Sequence, residues 1–279
     1  MHIGVTAFLT DRAMAPGAFA VAVEERGYHS LYLPEHTHLP VGSAPPTLVD
    51  GVQLEDYRRS LDPLAALATA AALTDRVLLG TGIALVAQHD PIVMAKQIAT
   101  IDHLSGGRFV LGMGYGWNAQ EAADHGVDFS VRRAVARENV LCMQALWAND
   151  EASFDGTWVT MAPSYSWPKP VQRPRVRTLI GGGAGPKLFA AVVEYADGWM
   201  PIGGAGLGPA MTELRRLFEA VGRDPATLHV VPFGTVPSEG KLEHYASLGV
   251  TEVVLRVPSG DDDRMRRVLD DYMRFLAPA

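Results

Sequence analysis

A (β/α)8 barrel, read as a single domain over residues 1–279 with insertions after strands two and four, is the fold this sequence predicts. Three observations carry it. Short β-rich runs alternate with amphipathic helical stretches eight times, the pattern of a closed parallel barrel. The run Val77 to Leu85 (VLLGTGIAL) is apolar on both faces, as a strand buried in a parallel sheet must be. No low-complexity segment or long linker divides the chain, and barrels routinely exceed the usual domain length of about 100–200 residues. An open doubly wound sheet is the alternative arrangement of the same alternation.

The elements follow in order. Ile3 to Phe8 (IGVTAF) is the first strand, and Pro16 starts a helix carrying Phe19 and Val23. Ser30 to Leu33 (SLYL) is the second strand, running into PEHTHLP and a long loop from Pro34 to about Ser60. Asp62 and Pro63 form an N-cap and first-turn pair, with Leu64, Leu67 and Ala71 on one helical face. After the third strand, Asp90 and Pro91 open a helix with Met94, Ile98 and Ile101 as its buried stripe, stopped by Gly106 and Gly107. Arg108 to Gly112 is the fourth strand. A helix from about Ser130 to Trp147 buries Val140, Met143 and Trp147, and a hairpin turns at Asp155-Gly156. Thr178 to Ile180, Asp197 to Ile202, His229 to Val236 and Glu252 to Val257 supply strands five to eight. A helix that follows GGGAGPK and runs through Glu194, and helices near Pro209 to Val221, Ser238 to Leu248 and Asp261 to Leu276, lie between and after them.

Composition excludes several functions. The formal net charge is −7, with acids and bases interspersed, which disfavours nucleic-acid binding through clustered Lys and Arg. No apolar run reaches about 18 residues and the start carries no signal-type core, so the expectation is a cytoplasmic protein without a membrane segment. The one cysteine, Cys142, lies in a helical apolar pattern and reads as an inert buried thiol.

Barrel active sites lie where strands end and loops begin, so four strand ends come forward. Glu35, His36 and His38 follow strand two. Strand three carries Gly80 and Gly82, which mark either a flat ligand against the sheet or close packing. Strand four ends in GMGYGWN. Its Gly112, Gly114 and Gly116 have G-x-G-x-G spacing, not the G-x-G-x-x-G of a dinucleotide fingerprint. Strand five ends in GGGAGPK, either a flexible turn or a phosphate-binding strand-to-helix turn. A Walker loop is excluded because no G-K-[ST] follows.

His36 can donate a proton or hydrogen-bond a ring carbonyl near neutral pH, or else simply anchor the long loop. A metal site built from His36, His38 and His89 lacks the spacing and a carboxylate partner, and no G-x-S-x-G suggests serine hydrolysis. Trp117 is either a wall of the substrate pocket or a packed rim residue. Asn118 and Glu121 read as a cap and support for the following loop. Trp158, Trp167 and Trp199, in the strand four to six region, either line the opening or serve as packing, the favoured reading.

Taken together, PEH after strand two, LGTGI on strand three, HDPIVMAKQIATIDHLSGGRFVLGMGYGWNAQE through strand four, RRAVARENVLCMQALW, FDGTWVTM, WPKPVQRPRVRTLIGGG and YADGWMP resemble the bacterial luciferase-like flavin and deazaflavin oxidoreductases. The GWN..E form resembles the branch of probable F420-dependent oxidoreductases. The resemblance implies a barrel mouth that holds a three-ring flavin or deazaflavin. Gly82 and Ile83 would back the ring through a bulge with a non-prolyl cis peptide, with Thr81 adjoining. Glu35 and His36 would face its reactive edge, with His36 as the acid/base. Tyr115 and Gly116 would contact the cofactor, and Gly182, Gly183 and Ala184 would hold its phosphate, with Gly203 and Gly204 as further candidates. The implied activity is hydride transfer between coenzyme F420 and a small organic substrate. The alternatives are an FMN-dependent monooxygenase, in which reduced flavin activates oxygen, and a flavin-binding protein without catalysis. A homodimer, and a separate reductase as the source of reduced cofactor, are the partners the resemblance implies.

Overall fold

The computed structural model describes residues 1–43, 45 and 52–276. Eight parallel strands form one sheet: β1 (His2–Thr6), β2 (Ser30–Leu33), β3 (Leu78–Thr81), β4 (Phe109–Met113), β7 (Arg177–Gly181), β8 (Gly198–Met200), β9 (His229–Val230) and β10 (Glu252–Arg256). They neighbour one another in the order β10-β1-β2-β3-β4-β7-β8-β9. The circle closes through a parallel bridge between Thr235 and Leu255, where the Thr235 amide donates to Val254 O at 2.9 Å and the Arg256 amide to Thr235 O at 3.0 Å. β9 is shorter than the strand expected over His229 to Val236. Pro232 has no amide hydrogen to give the ladder, and only single bridges at Phe233 and Thr235 continue the pairing.

Alternation along the strands sorts side chains into two cores. Tyr32, Val110, Leu179, Met200, Val231 and Val254 fill the barrel interior. Their strand neighbours, among them Leu31, Phe109, Leu111, Val253 and Leu255, pack outward against the helices. Those helices are α1 (Pro16–Glu25), α3 (Pro63–Ala71), α4 (Pro91–Leu104), α6 (Arg132–Ala148), α7 (Pro186–Tyr195), α8 (Leu207–Ala220), α9 (Glu239–Ser247) and α10 (Asp262–Tyr272). Among the described residues, no helix is long and apolar enough to cross a membrane. The anticipated caps are present: Asp62 accepts from Ala65 N, and Asp90 from Ile92 N and Val93 N. Cys142 is buried in α6, and burial raises its thiol to about 11.

Two short helices escaped the sequence pattern. α2 (Leu54–Arg59) lies at the end of the long loop after β2, residues 44 and 46–51 of which fall outside the described residues. α5 (Ala119–Asp124) follows β4. The hairpin stands as expected: β5 (Glu151–Asp155) and β6 (Thr160–Tyr165) pair antiparallel, and the Glu138 carboxylate accepts the amides of Thr157, Trp158 and Val159 at their turn.

The run through α4 and β4 holds the scaffold at the end of the barrel opposite the mouth. Asp102, fully buried, accepts from Val171 N at 2.7 Å, Gln172 Nε2 at 2.6 Å and Phe109 N at 3.3 Å. Arg108 donates to Val77 O and Thr74 O, both at 2.6 Å, tying β3 to β4.

At the mouth end, β3 and β4 approach unusually closely. A Cβ on Gly112 would lie 2.1 Å from Thr81 O, and one on Gly114 would lie 2.6 Å from Ile83 Cδ1. The glycines of GMGYG therefore first admit β3 and its side chains. Likewise a Cβ on Gly80 would strike the Tyr32 ring, and one on Gly82 the Phe233 ring, so close packing explains both. Gly112→Ala must push backbone against backbone and should cost at least ~2 kcal/mol. Gly183→Ala, where nothing lies within 4 Å of a Cβ, should stay within about 0.5 kcal/mol. Denaturant midpoints of the two variants check the contrast; equal loss in both contradicts it.

Candidate active site

The carboxyl ends of the strands open on a cavity of ≈ 360 Å³. Its floor is apolar: Ile83, Met200 and Phe233 line it. Ile83 reaches that place because the chain leaves β3 through a cis Gly82–Ile83 peptide and then pairs again with β4, Ala84 N donating to Gly112 O at 2.7 Å and Gly114 N to Ala84 O at 2.9 Å. Its side chain fills the space that Cβ atoms on Gly114 and Gly181 would need.

One wall is built around His36. Its side chain is 7% exposed, and Nδ1 lies 2.9 Å from Glu121 Oε2 and 3.0 Å from Oε1. Glu121 is 1% exposed. An ionised carboxylate only accepts hydrogen bonds, so Nδ1 carries the hydrogen and Nε2 is the nitrogen left for other chemistry. Glu121 occupies the third position of α5, after Asn118, which caps that helix by accepting from Gln120 N and Glu121 N. The expected cap is thus present, but Glu121 does more than support the loop: it fixes the imidazole. The N-x-x-E spacing was visible in the sequence; its partner, 85 residues away, was not.

Glu35 turns the other way. Buried beneath the wall, it accepts from Leu85 N at 2.6 Å and pairs with His89 Nε2 at 2.8 Å. Burial of His89 works against its charged form, but the hydrogen bond and charge of Glu35 outweigh this and raise its pKa above the ordinary 6.5. The three histidines weighed as metal ligands go to separate partners: His36 to Glu121, His89 to Glu35, His38 to Asp124 and Thr37.

Tyr115 and Gly116 also line the cavity. The Tyr115 hydroxyl meets that of Tyr195 at 2.8 Å, and burial raises its pKa. The Arg133 guanidinium lies 4.2 Å from the centroid of the Tyr115 ring. Arg132 also lines the cavity, and its Nε is buried without a hydrogen-bond partner. Neither arginine stood out in the sequence, where RRAVARENV reads as an ordinary helix start.

Gly182 lines the cavity, with its carbonyl held by Trp199 Nε1 at 2.8 Å. Gly183 and Ala184 sit beside it on the exposed rim, outside the cavity wall. Three further expected contacts also lie outside that wall. Thr81 is fully buried and donates its hydroxyl to Gly112 O at 2.7 Å. Gly203 and Gly204 lie past Ile202, which does line the cavity, and Gly204 is packed against the Tyr245 ring. Trp117 faces the cavity beside His36, whereas Trp158 and Trp167 are exposed elsewhere and Trp199 is buried.

A sequence profile described as luciferase-like monooxygenase matches residues 11–241. The chain belongs to the luciferase-like monooxygenase family. It is an oxidoreductase of that family. An uncharacterized protein of Mycobacterium tuberculosis is 42% identical over 268 residues, 94% of each chain. An F420-dependent glucose-6-phosphate dehydrogenase of Kineococcus radiotolerans is 31% identical over 75% of this chain and 60% of its own. Among solved structures, the monooxygenase RslO1 of Streptomyces bottropensis superposes with a TM-score of 0.77 at 21% identity, covering 99% of this chain and 98% of its own. An F420-dependent secondary alcohol dehydrogenase with an F420-acetone adduct gives 0.77 at 18%, with the same coverage. These likenesses establish the barrel fold.

The His89–Glu35 pair sets a pH dependence. A histidine whose folded pKa is raised stabilises the fold fully below its unfolded value, near 6.5, and loses that contribution as pH rises through the raised folded value. The stability difference between the wild type and His89→Asn should therefore be largest at acid pH below that value and shrink on the alkaline side. Urea midpoints of both proteins across this range test it; a difference that grows with pH contradicts it.

Proposed function

We propose that the protein transfers a hydride between the deazaflavin coenzyme F420 and a small organic substrate, with His36 as the acid/base. The observation that carries this reading is the His36–Glu121 pair on the wall of an apolar, glycine-edged cavity. Three features fit a tricyclic ring with an anionic tail. Ile83 and Gly82 offer a flat apolar seat; Gly116 and Gly182 leave the flanks open; and the buried, unpartnered Nε of Arg132 awaits an acceptor. The cationic side chains of Arg132 and Arg133 favour an anion at that edge. A relative 31% identical to the chain carries an F420-dependent name, which supports the deazaflavin over FMN.

When bound, the deazaflavin would supply the hydride donor or acceptor. Ile83, Met200 and Phe233 would exclude water beneath the ring, and Tyr115 and Gly116 would set its lateral position. His36 would hold or release one proton at Nε2, in the tautomer that Glu121 imposes through Nδ1.

Titrating the purified protein with F420 and with FMN, followed by absorbance and fluorescence, tests the cofactor. Tighter F420 binding is expected; micromolar FMN binding without measurable F420 affinity overturns the reading. For the acid/base, His36→Ala should lower F420-dependent turnover by about 10²-fold or more while cofactor binding survives. Glu121→Gln should lower turnover as well, because an amide can donate to Nδ1 and so reverse the tautomer. Full turnover in both variants would remove the pair from the chemistry.

A further inference from the structure

The ring side chains beside His36 come from three distant parts of the chain: Phe8 after β1, Tyr57 on α2 and Trp117 after β4. Phe8 and Tyr57 have centroids 4.8 Å apart, Tyr57 and His36 5.1 Å, His36 and Trp117 5.7 Å, and Tyr57 and Trp117 6.3 Å. All four line the cavity. The carboxylates of this region are already engaged. Glu121 faces His36, Glu35 faces Leu85 N and His89, and Asp56 accepts from Gln53 N at 2.7 Å in the first turn of α2. Arg256 also lines the cavity, with its guanidinium donating to Gly234 O at 2.6 Å. Beside it the bay offers a visitor aromatic surface and a directed proton position at His36 Nε2.

We propose that this bay is the substrate subsite and that it takes a flat, uncharged ring carrying a single carbonyl or hydroxyl group. Ring faces pack against aromatic walls in offset or edge-to-face contact, and each such pair adds to the energy of area burial. One oxygen on the ligand would meet His36. A sugar phosphate suits the bay poorly. It brings several hydroxyls against the ring faces of Phe8, Tyr57 and Trp117, and buried polar groups without partners cost binding energy.

The reaction served by the bay rests on the deazaflavin reading; binding in the bay does not. Where the oxygen sits on a carbinol or keto carbon attached to the ring, a bound deazaflavin would supply the hydride acceptor or donor, and His36 Nε2 would take up the hydroxyl proton as the carbonyl forms or return it in the reverse direction.

Acetophenone, acetone and glucose 6-phosphate are the probes, and ligand-observed NMR titration of the protein, as purified and again loaded with F420, is the measurement. Acetophenone should bind at least about 10-fold more tightly than acetone, and glucose 6-phosphate should show no saturable binding. Trp117→Leu and Tyr57→Leu should each weaken acetophenone by roughly 10-fold, and the unfolding temperature of each variant reports whether it is folded. Glucose 6-phosphate binding as tightly as acetophenone overturns the proposal. So does acetophenone affinity that is unchanged in either folded variant. A protein that takes FMN in place of F420, yet keeps this ranking and its dependence on Trp117, defeats the deazaflavin reading and leaves the subsite standing.

Discussion

The contact between Thr81 O and the bare Cα of Gly112 is the constraint on which the mouth of this barrel depends. With no side chain at 112, β4 can approach β3 closely enough for the Thr81 hydroxyl and the Ala84 amide both to reach Gly112 O, each at 2.7 Å. The chain between them is thereby pressed inward, and Ile83 enters the barrel over Gly114 and Gly181. Without that intrusion the interior layer of Tyr32, Val110, Leu179, Met200 and Val254 would have no lid of its own, and the cavity no floor. Strand packing and site shape are one steric problem solved by the same glycines.

Buried carboxylates organise the rest. Each one that faces away from water has specific donors, as the cost of burying a charge requires. Glu24 takes the amides of Asp75, Arg76 and Val77 and so sets the entry to β3. Asp102 gathers β4 and the segment at Val171–Gln172. Nearer the mouth, Glu35 binds the turn at Leu85 and the ring of His89, which steadies the strand-three bulge from behind. Glu121 alone spends its hydrogen-bonding capacity on a side chain of the cavity wall. Three of these four carboxylates build the barrel or the rim; the fourth sets the chemistry of an imidazole.

Legibility in the sequence followed the range of the interactions. Barrel strands, the caps at Asp62 and Asp90, and the hairpin at Asp155-Gly156 rest on neighbours within a few positions, and they stand where the pattern put them, except that β3 ends at Thr81 and β9 at Val230, short of the runs expected to Leu85 and Val236. His36, Gly82, Gly116, Trp117 and Gly182 came forward because strand ends carry barrel sites, and Ile83 and Tyr115 through the family resemblance; the fold brings them to one cavity with Glu35. Thr81 shares a strand end with Gly82 but lies outside the wall, since one position along a strand reverses the side of the sheet a residue faces; Gly183 and Ala184 lie on the exposed rim past β7, and Gly203 and Gly204 lie past Ile202 beyond β8. Short α2 and α5 left too little periodicity to read, and with them went Tyr57 and the role of Glu121.

By itself the sequence determined the alternation of strands and helices, the places where the chain must turn, and which strand ends lack side chains, because all three depend on local backbone sterics and the period of apolar residues. The tertiary structure decided which partner each buried charge received and which aromatic rings surround His36. Those contacts join residues separated by scores of positions, as with His36 and Glu121 or His36 and Trp117. Only closure of the barrel, which sets the distance between strand ends, could bring them within reach.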